Sequence, residues 1–138
     1  MKIYFACSIT GGRQDEDNYQ AIVAGLQSKG HEVLTAGLAS ADFHILEGTV
    51  GPVEVYERDT AWIRESDCLI AEVSTPSHGV GYEYGYALNQ GKPVVCIHKK
   101  GRTVSKMILG NPDKALSVFT YTEIDEVLDY LYKWLDEI

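Results

Sequence analysis

The chain has 138 residues, enough for one domain with an ordinary core. A hydrophobic fraction of 45% excludes a disordered chain, and no apolar run reaches the ~18 residues of a membrane-spanning helix. With 20 acidic and 12 basic residues the net charge is −8, which disfavours non-specific binding of long polyanions such as nucleic acid; a small anion held by backbone amides remains compatible.

Along the chain, strand and helix patterns alternate. Residues 3–7 are a short apolar run, a first strand. Residues 15–29 place Tyr19, Ile22, Val23 and Leu26 at helical spacing, and Gly30 stops the helix. Residues 31–35 read as a second strand. The segment 36–52 is irregular and rich in small residues; a loop that long in a compact domain is often functional, which makes it a candidate lid. Residues 53–65 predict a helix with Glu54 and Arg58 paired one turn apart. A third strand over 68–73 leads into a helix over 79–89, ended by Gly91. Residues 93–98 are a fourth strand, 103–109 a short helix and 117–121 a fifth strand. Thr122-Glu123-Ile124-Asp125 has the form of a capping box. The last helix it opens has its apolar stripe at Ile124, Val127, Leu128, Leu131 and Leu135. The expected fold is α/β: three layers, a five-stranded parallel sheet with helices on both faces, flavodoxin-like or Rossmann-like, in one domain over 1–138.

The apolar start, Met1 to Cys7, is too short for a secretory signal, so a soluble cytoplasmic protein is expected. Cys7, Cys68 and Cys96 lie in strand-like runs without a C-x-x-C pair and read as small buried hydrophobes. His31, His44, His78 and His98 show no metal-ligand spacing, and no metal is expected.

Open α/β sheets bind ligands beyond the carboxyl ends of their strands. Two loops there carry chemistry. Ser8-Ile9-Thr10-Gly11-Gly12-Arg13 follows strand 1 and precedes a helix N-terminus, an arrangement that favours an anion. Cys7 and Arg13 also fit C-x5-R, the phosphate loop of tyrosine phosphatases, where a low-pKa thiolate attacks phosphorus. That pattern is incomplete: Gln14 replaces the usual Ser or Thr, and Asn111-Pro112-Asp113 has the wrong order for the acid motif.

The second loop, Ser74-Thr75-Pro76-Ser77-His78, opens into a helix carrying Glu83 in its first turns, among tyrosines and glycines. Gly79-Val80-Gly81-Tyr82-Glu83-Tyr84-Gly85 nearly reads G-x-G-x-x-G. The third glycine is one residue late and the loop follows the third strand, so it does not read as a dinucleotide site. Asp59 alone is an ordinary solvated carboxylate. Facing Glu83, it would supply the second carboxylate at one sugar: one attacks or stabilises an oxocarbenium-like centre while the other handles protons. Ser77 and Ser105 read as helix caps, and Tyr82, Tyr84 and Tyr86 as partly core.

Four segments carry a resemblance over nearly the whole chain: 4–13, 56–62, 71–85 and 102–108. The chain resembles the 2′-deoxynucleoside 5′-phosphate N-hydrolases, within the wider nucleoside 2-deoxyribosyltransferase superfamily. The resemblance implies Glu83 as nucleophile at the anomeric carbon, Asp59 as the group assisting departure of the base, and Tyr4 as the residue orienting Glu83. Ser8, Ile9, Thr10, Gly11, Gly12, Arg13, Ser77 and Gly79 would hold the 5′-phosphate. Ser105 would reach it from a neighbouring subunit, implying a homodimer, and no metal or cofactor is implied. The chain departs from the family at Thr10, where a basic residue is frequent, and at Gly37, where a histidine is frequent. Two alternatives to the hydrolase remain: a deoxyribosyltransferase, in which a second base resolves the glycosyl-enzyme, and a non-catalytic nucleotide-binding module.

Overall fold

The computed structural model describes residues 1–9, 15–39 and 47–138. Within the described residues the order is β1 (Lys2–Ala6), α1 (Glu16–Ser28), β2 (Glu32–Val33), a 3-10 turn (Ala36–Ala39), α2 (Pro52–Glu65), β3 (Cys68–Glu72), α3 (His78–Asn89), β4 (Val94–Lys99), α4 (Lys106–Leu109), β5 (Leu116–Tyr121) and α5 (Ile124–Glu137). All five strands are parallel, in the order β2-β1-β3-β4-β5. The strand order reverses between β1 and β3, and the crevice beyond their carboxyl ends is where such sheets bind ligands.

Alternation along β1 divides the core. Ile3 and Phe5 pack with α1 and α5, whereas Tyr4 and Ala6 face the layer built from α2, α3 and the 104–108 segment. Every residue of β3 is buried, as a central parallel strand covered on both faces requires. On the first face α1 and α5 approach closely at Gly25. A Cβ there would stand 2.5 Å from Leu128 Cδ2, and the Tyr132 hydroxyl donates to the Gly25 carbonyl at 3.1 Å. Among the described residues no helix is long and apolar enough to cross a membrane.

The expected architecture stands, with local differences. β2 is shorter than the expected 31–35 because the Thr35 side chain takes over the pairing. Its hydroxyl accepts from the Phe5 N–H at 3.0 Å and donates to the Phe5 carbonyl at 2.8 Å. The expected helix over 103–109 begins only at Lys106, because Ser105 is its N-cap and accepts from Met107 N at 3.2 Å. The capping box of α5 is Glu123 with Glu126, one residue later than expected. Arg58 does not pair with Glu54; it turns toward Glu47 and Asp59. Thr10, Gly11, Gly12 and Arg13, and residues 40–46 of the candidate lid, lie outside the described residues.

Candidate active site

Glu83 owes its position to how α3 starts. Ser77 is extended, and its hydroxyl accepts from Val80 N at 3.3 Å, which satisfies an otherwise orphan amide of the first turn. Val80, Tyr84 and Ala87 then anchor the helix in the core, leaving Glu83 directed at β1. There Tyr4, 1% exposed, donates its hydroxyl to Glu83 Oε1 at 2.8 Å. Burial pushes the Glu83 carboxyl up to about 7; the Tyr4 bond opposes this, Asp59 adds to it, and Arg58 opposes it. A carboxyl poised near neutrality is suited to nucleophilic or proton-transfer work.

The second carboxylate comes from α2. Asp59 is raised by burial, against the pull of Arg58, whose Nε donates to Asp59 Oδ1 at 2.8 Å. The two terminal nitrogens of Arg58 donate to the two oxygens of Glu47, each at 3.2 Å. The guanidinium also lies 5.1 Å from the Trp62 ring centre. The charge of Asp59 acts on both Glu83 and Tyr4, so the three predicted catalytic residues share one environment. Sequence reasoning did not find Glu47 or this role for Arg58; the one available signal was a basic residue adjacent to the candidate carboxylate.

At the end of β1, Ser8 is 5% exposed and its hydroxyl has no hydrogen-bond partner among the described residues. A buried polar atom left unpaired costs stability, so a ligand oxygen is a natural partner for it. Ile9, half-buried, continues from it. The neighbouring Cys7 thiol is pushed up to about 12 by burial, with Glu83 and Glu72 adding to the effect. A thiol held protonated is the reverse of what phosphatase chemistry needs.

Ser77 and Ser105 are brought to one cleft of about 760 Å³, lined also by Thr75, Gly81, Tyr84 and Met107. Glu83, Asp59 and Tyr4 are not among its lining residues. Gly79 stands beside Ser77, whose hydroxyl would lie 3.8 Å from a Cβ at that glycine. The three tyrosines of α3 divide: Tyr84 is core, Tyr86 is half-buried, and Tyr82 is 53% exposed.

A further polar cluster behind the loops escaped sequence reasoning. Asp15, 2% exposed, accepts from Lys99 Nζ at 3.0 Å, Thr75 Oγ1 at 3.1 Å and Arg102 Nη2 at 3.4 Å. Burial pushes its carboxyl up, but these hydrogen bonds and the two cations outweigh that and hold it below its ordinary range. Glu72, fully buried, accepts from the hydroxyls of Ser74 and, at 3.1 Å, Tyr121. Asp15 therefore ties the start of α1 to the segments that carry Ser77 and Ser105.

Comparison with known proteins finds relatives over most of the chain. A protein of Methanococcoides burtonii carrying the name "Putative 2'-deoxynucleoside 5'-phosphate N-hydrolase 1" is 44% identical over 118 residues, covering 86% of this chain and 97% of its own. The 5-hydroxymethyl-dUMP N-hydrolase of Mus musculus is 40% identical over 139 residues, covering 97% of this chain and 79% of its own. Among solved structures, the CMP N-glycosidase of Clostridium botulinum superposes with a TM-score of 0.75 at 20% identity, over 97% of this chain and 99% of that one, a likeness of fold. The 2-deoxyribosyltransferase of Bacillus psychrosaccharolyticus gives 0.64, also at 20% identity, over 94% and 92%. The model of the nucleoside 2-deoxyribosyltransferase family matches residues 3–124. With that match spanning the sheet, both carboxylates and the cleft, the chain belongs to the nucleoside 2-deoxyribosyltransferase family.

Proposed function

We propose that this chain hydrolyses the N-glycosidic bond of 2′-deoxynucleoside 5′-monophosphates, giving free base and deoxyribose 5-phosphate. The observation that carries the reading is the half-buried Glu83, hydrogen-bonded to Tyr4 and poised near neutrality beside Asp59. The names of the relatives, N-hydrolases of deoxynucleotides, support the substrate class.

In this reading the Glu83 carboxylate attacks C1′. The bond from C1′ to the base nitrogen breaks, and its electron pair leaves with the base, which takes the proton of the Asp59 carboxyl. The product is a glycosyl ester on Glu83. Asp59, now ionised, removes a proton from water, and the resulting hydroxide attacks C1′ and releases Glu83. Splitting one difficult displacement into two lowers each barrier. A 2′-hydroxyl would crowd the nucleophile, which favours deoxy substrates. The phosphate supplies remote binding energy that positions the sugar. Its proposed holders are Ser8, Ile9, Thr10, Gly11, Gly12, Arg13, Ser77, Gly79 and Ser105 from a second copy. The unpaired Ser8 hydroxyl supports this placement. So do the exposed Met107 and Leu109 beside Ser105, 78% and 54% accessible, which a homodimer would cover.

The test is chromatography of bases released from deoxynucleoside monophosphates, the matching nucleosides and ribonucleotides, with Glu83→Gln as control. Release from the 5′-phosphorylated deoxy compounds alone, by the wild type alone, is the expected result. A second reading, base exchange by a transferase, is favoured by the family and by the transferase fold likeness. A new nucleoside product on adding a second free base would select it.

A further inference from the structure

Among the described residues Arg58 is claimed by two acids. Its fork rests on both oxygens of Glu47, its Nε on Asp59, and its face on Trp62. The Arg58, Asp59 and Glu47 side chains are only 24%, 15% and 23% exposed. Charge interactions among groups so shielded are weakly screened by water. Among the described residues the groups facing this cluster are Glu83 from α3, Tyr4 from β1 with Cys7 just beyond it, and Arg58 and Asp59 themselves from α2, with Glu47 covering them from the preceding segment. Among the described residues Arg58 is the one cation in that set, and its Nε lies 2.8 Å from the carboxylate proposed to protonate the base.

We propose that Arg58, anchored by Glu47, is a positioning residue. It fixes the orientation of Asp59 and sets the pH window in which Asp59 and Glu83 share a single proton. This rests on the hydrolytic reading above. In that reading the reactive enzyme carries one negative charge over the two carboxyls: Glu83 ionised and Asp59 protonated. Below the window both are neutral and there is no nucleophile. Above it both are charged and there is no acid. A cation touching Asp59 moves both edges of the window downward, and an anion touching the cation opposes that movement. Burial and Arg58 pull the two carboxyls in opposite directions, and Glu47 opposes Arg58 at Asp59.

The two substitutions therefore have opposite signs. Arg58→Gln removes the cation, so both limbs of the kcat/KM profile move up by about one pH unit, the lower end of what a touching charge does. Glu47→Gln removes the opposing anion, so both limbs move down, by less. Arg58→Lys keeps the charge without the planar fork: it retains the wild-type window but lowers kcat, because Asp59 loses its fixed orientation. A group that merely supports the fold would lower activity in every variant without opposite displacements. Carboxyl titration by carbon-13 NMR of the Asp and Glu side chains, in wild type and variants, reads the same movements without turnover. Opposite displacements in either readout support the proposal. Limbs and titrations that stay within a few tenths of a pH unit of wild type in both Gln variants overturn it. Full activity of Glu83→Gln would instead overturn the hydrolytic reading, leaving the titrations to decide the role of Arg58.

Discussion

Tyr4→Phe removes one oxygen and little else. The ring stays in the core beneath α3, and Glu83 loses the donor 2.8 Å from Oε1. The Tyr4 hydroxyl is held far above its ordinary range by burial and by the two nearby carboxylates, so it donates throughout any practical assay. A hydrogen bond to a charged acceptor is worth about 1.5–3 kcal/mol, and one pKa unit corresponds to about 1.4 kcal/mol. Loss of the bond should raise the Glu83 carboxyl from about 7 by roughly one to two units. At pH 7 the ionised fraction then falls from about one half to between roughly 10% and 1%. The assay is kcat/KM for base release from a deoxynucleoside monophosphate, measured from pH 5.5 to 9.5. Tyr4→Phe is expected to lose about 5- to 50-fold at pH 7, with the acid limb of its profile displaced upward by roughly one to two pH units. A loss of the same size at every pH would show that the hydroxyl orients Glu83 without setting its charge. No loss at pH 7 would refute the reasoning altogether.

Glu83→Gln should be inactive and yet more stable in mild alkali. The folded carboxyl is raised from 4.5 to about 7, so its neutral form supports the fold at low pH and that support is lost as pH rises through 7. The neutral amide escapes a cost of up to about 3 kcal/mol. Its Tm should exceed that of wild type by several degrees at pH 8, with the difference closing near pH 5; equal Tm values at pH 8 would contradict the burial argument. Ser77→Ala and Ser105→Ala each lose a helix cap, about 1 kcal/mol of stability. If the phosphate role is right, KM for the monophosphate also rises several-fold while turnover of the unphosphorylated nucleoside is unchanged. A parallel loss on both substrates would reduce the serines to caps. Asp15→Asn breaks a buried carboxylate held by Lys99, Thr75 and Arg102. Allowing for the partly exposed cations, urea denaturation at pH 7 should show a loss of about 2 kcal/mol. Because the Asp15 carboxyl is held below 3.8, that contribution is present above this pH and is lost as pH falls below it. An unchanged urea midpoint would remove Asp15 from the account.

The sheet was legible because its central strands are continuous apolar runs bounded by polar turns, and because α1 and α5 carry clear helical stripes. β2 resisted because a side-chain hydroxyl substitutes for backbone pairing, and alternation says nothing about that. Glu83 stood out as a lone carboxylate after a buried strand, where the fold class places ligands. Tyr4 could not be found that way: a tyrosine in a strand reads as core, which it also is, and only the family resemblance pointed to it. Arg58 was assigned to Glu54 by helix spacing. In the fold, better-shielded acids from another segment and from the adjacent position take it. The Asp15 cluster is a contact among residues up to 87 positions apart, a separation that no local pattern encodes.

The hydrogen bond between Tyr4 and Glu83 closes a span of 79 residues. Its donor lies on β1, and its acceptor follows only after two further strands. β1 must dock beside β3, with α2 laid across them, before the carboxyl meets its partner. Non-local parallel pairing of this kind is paid for late in folding. A partly folded chain can hold native-like helices and still present Glu83 as an ordinary surface acid, ionised and unaimed. In refolding experiments, recovery of activity should therefore follow the slowest structural phase rather than the return of helix signal.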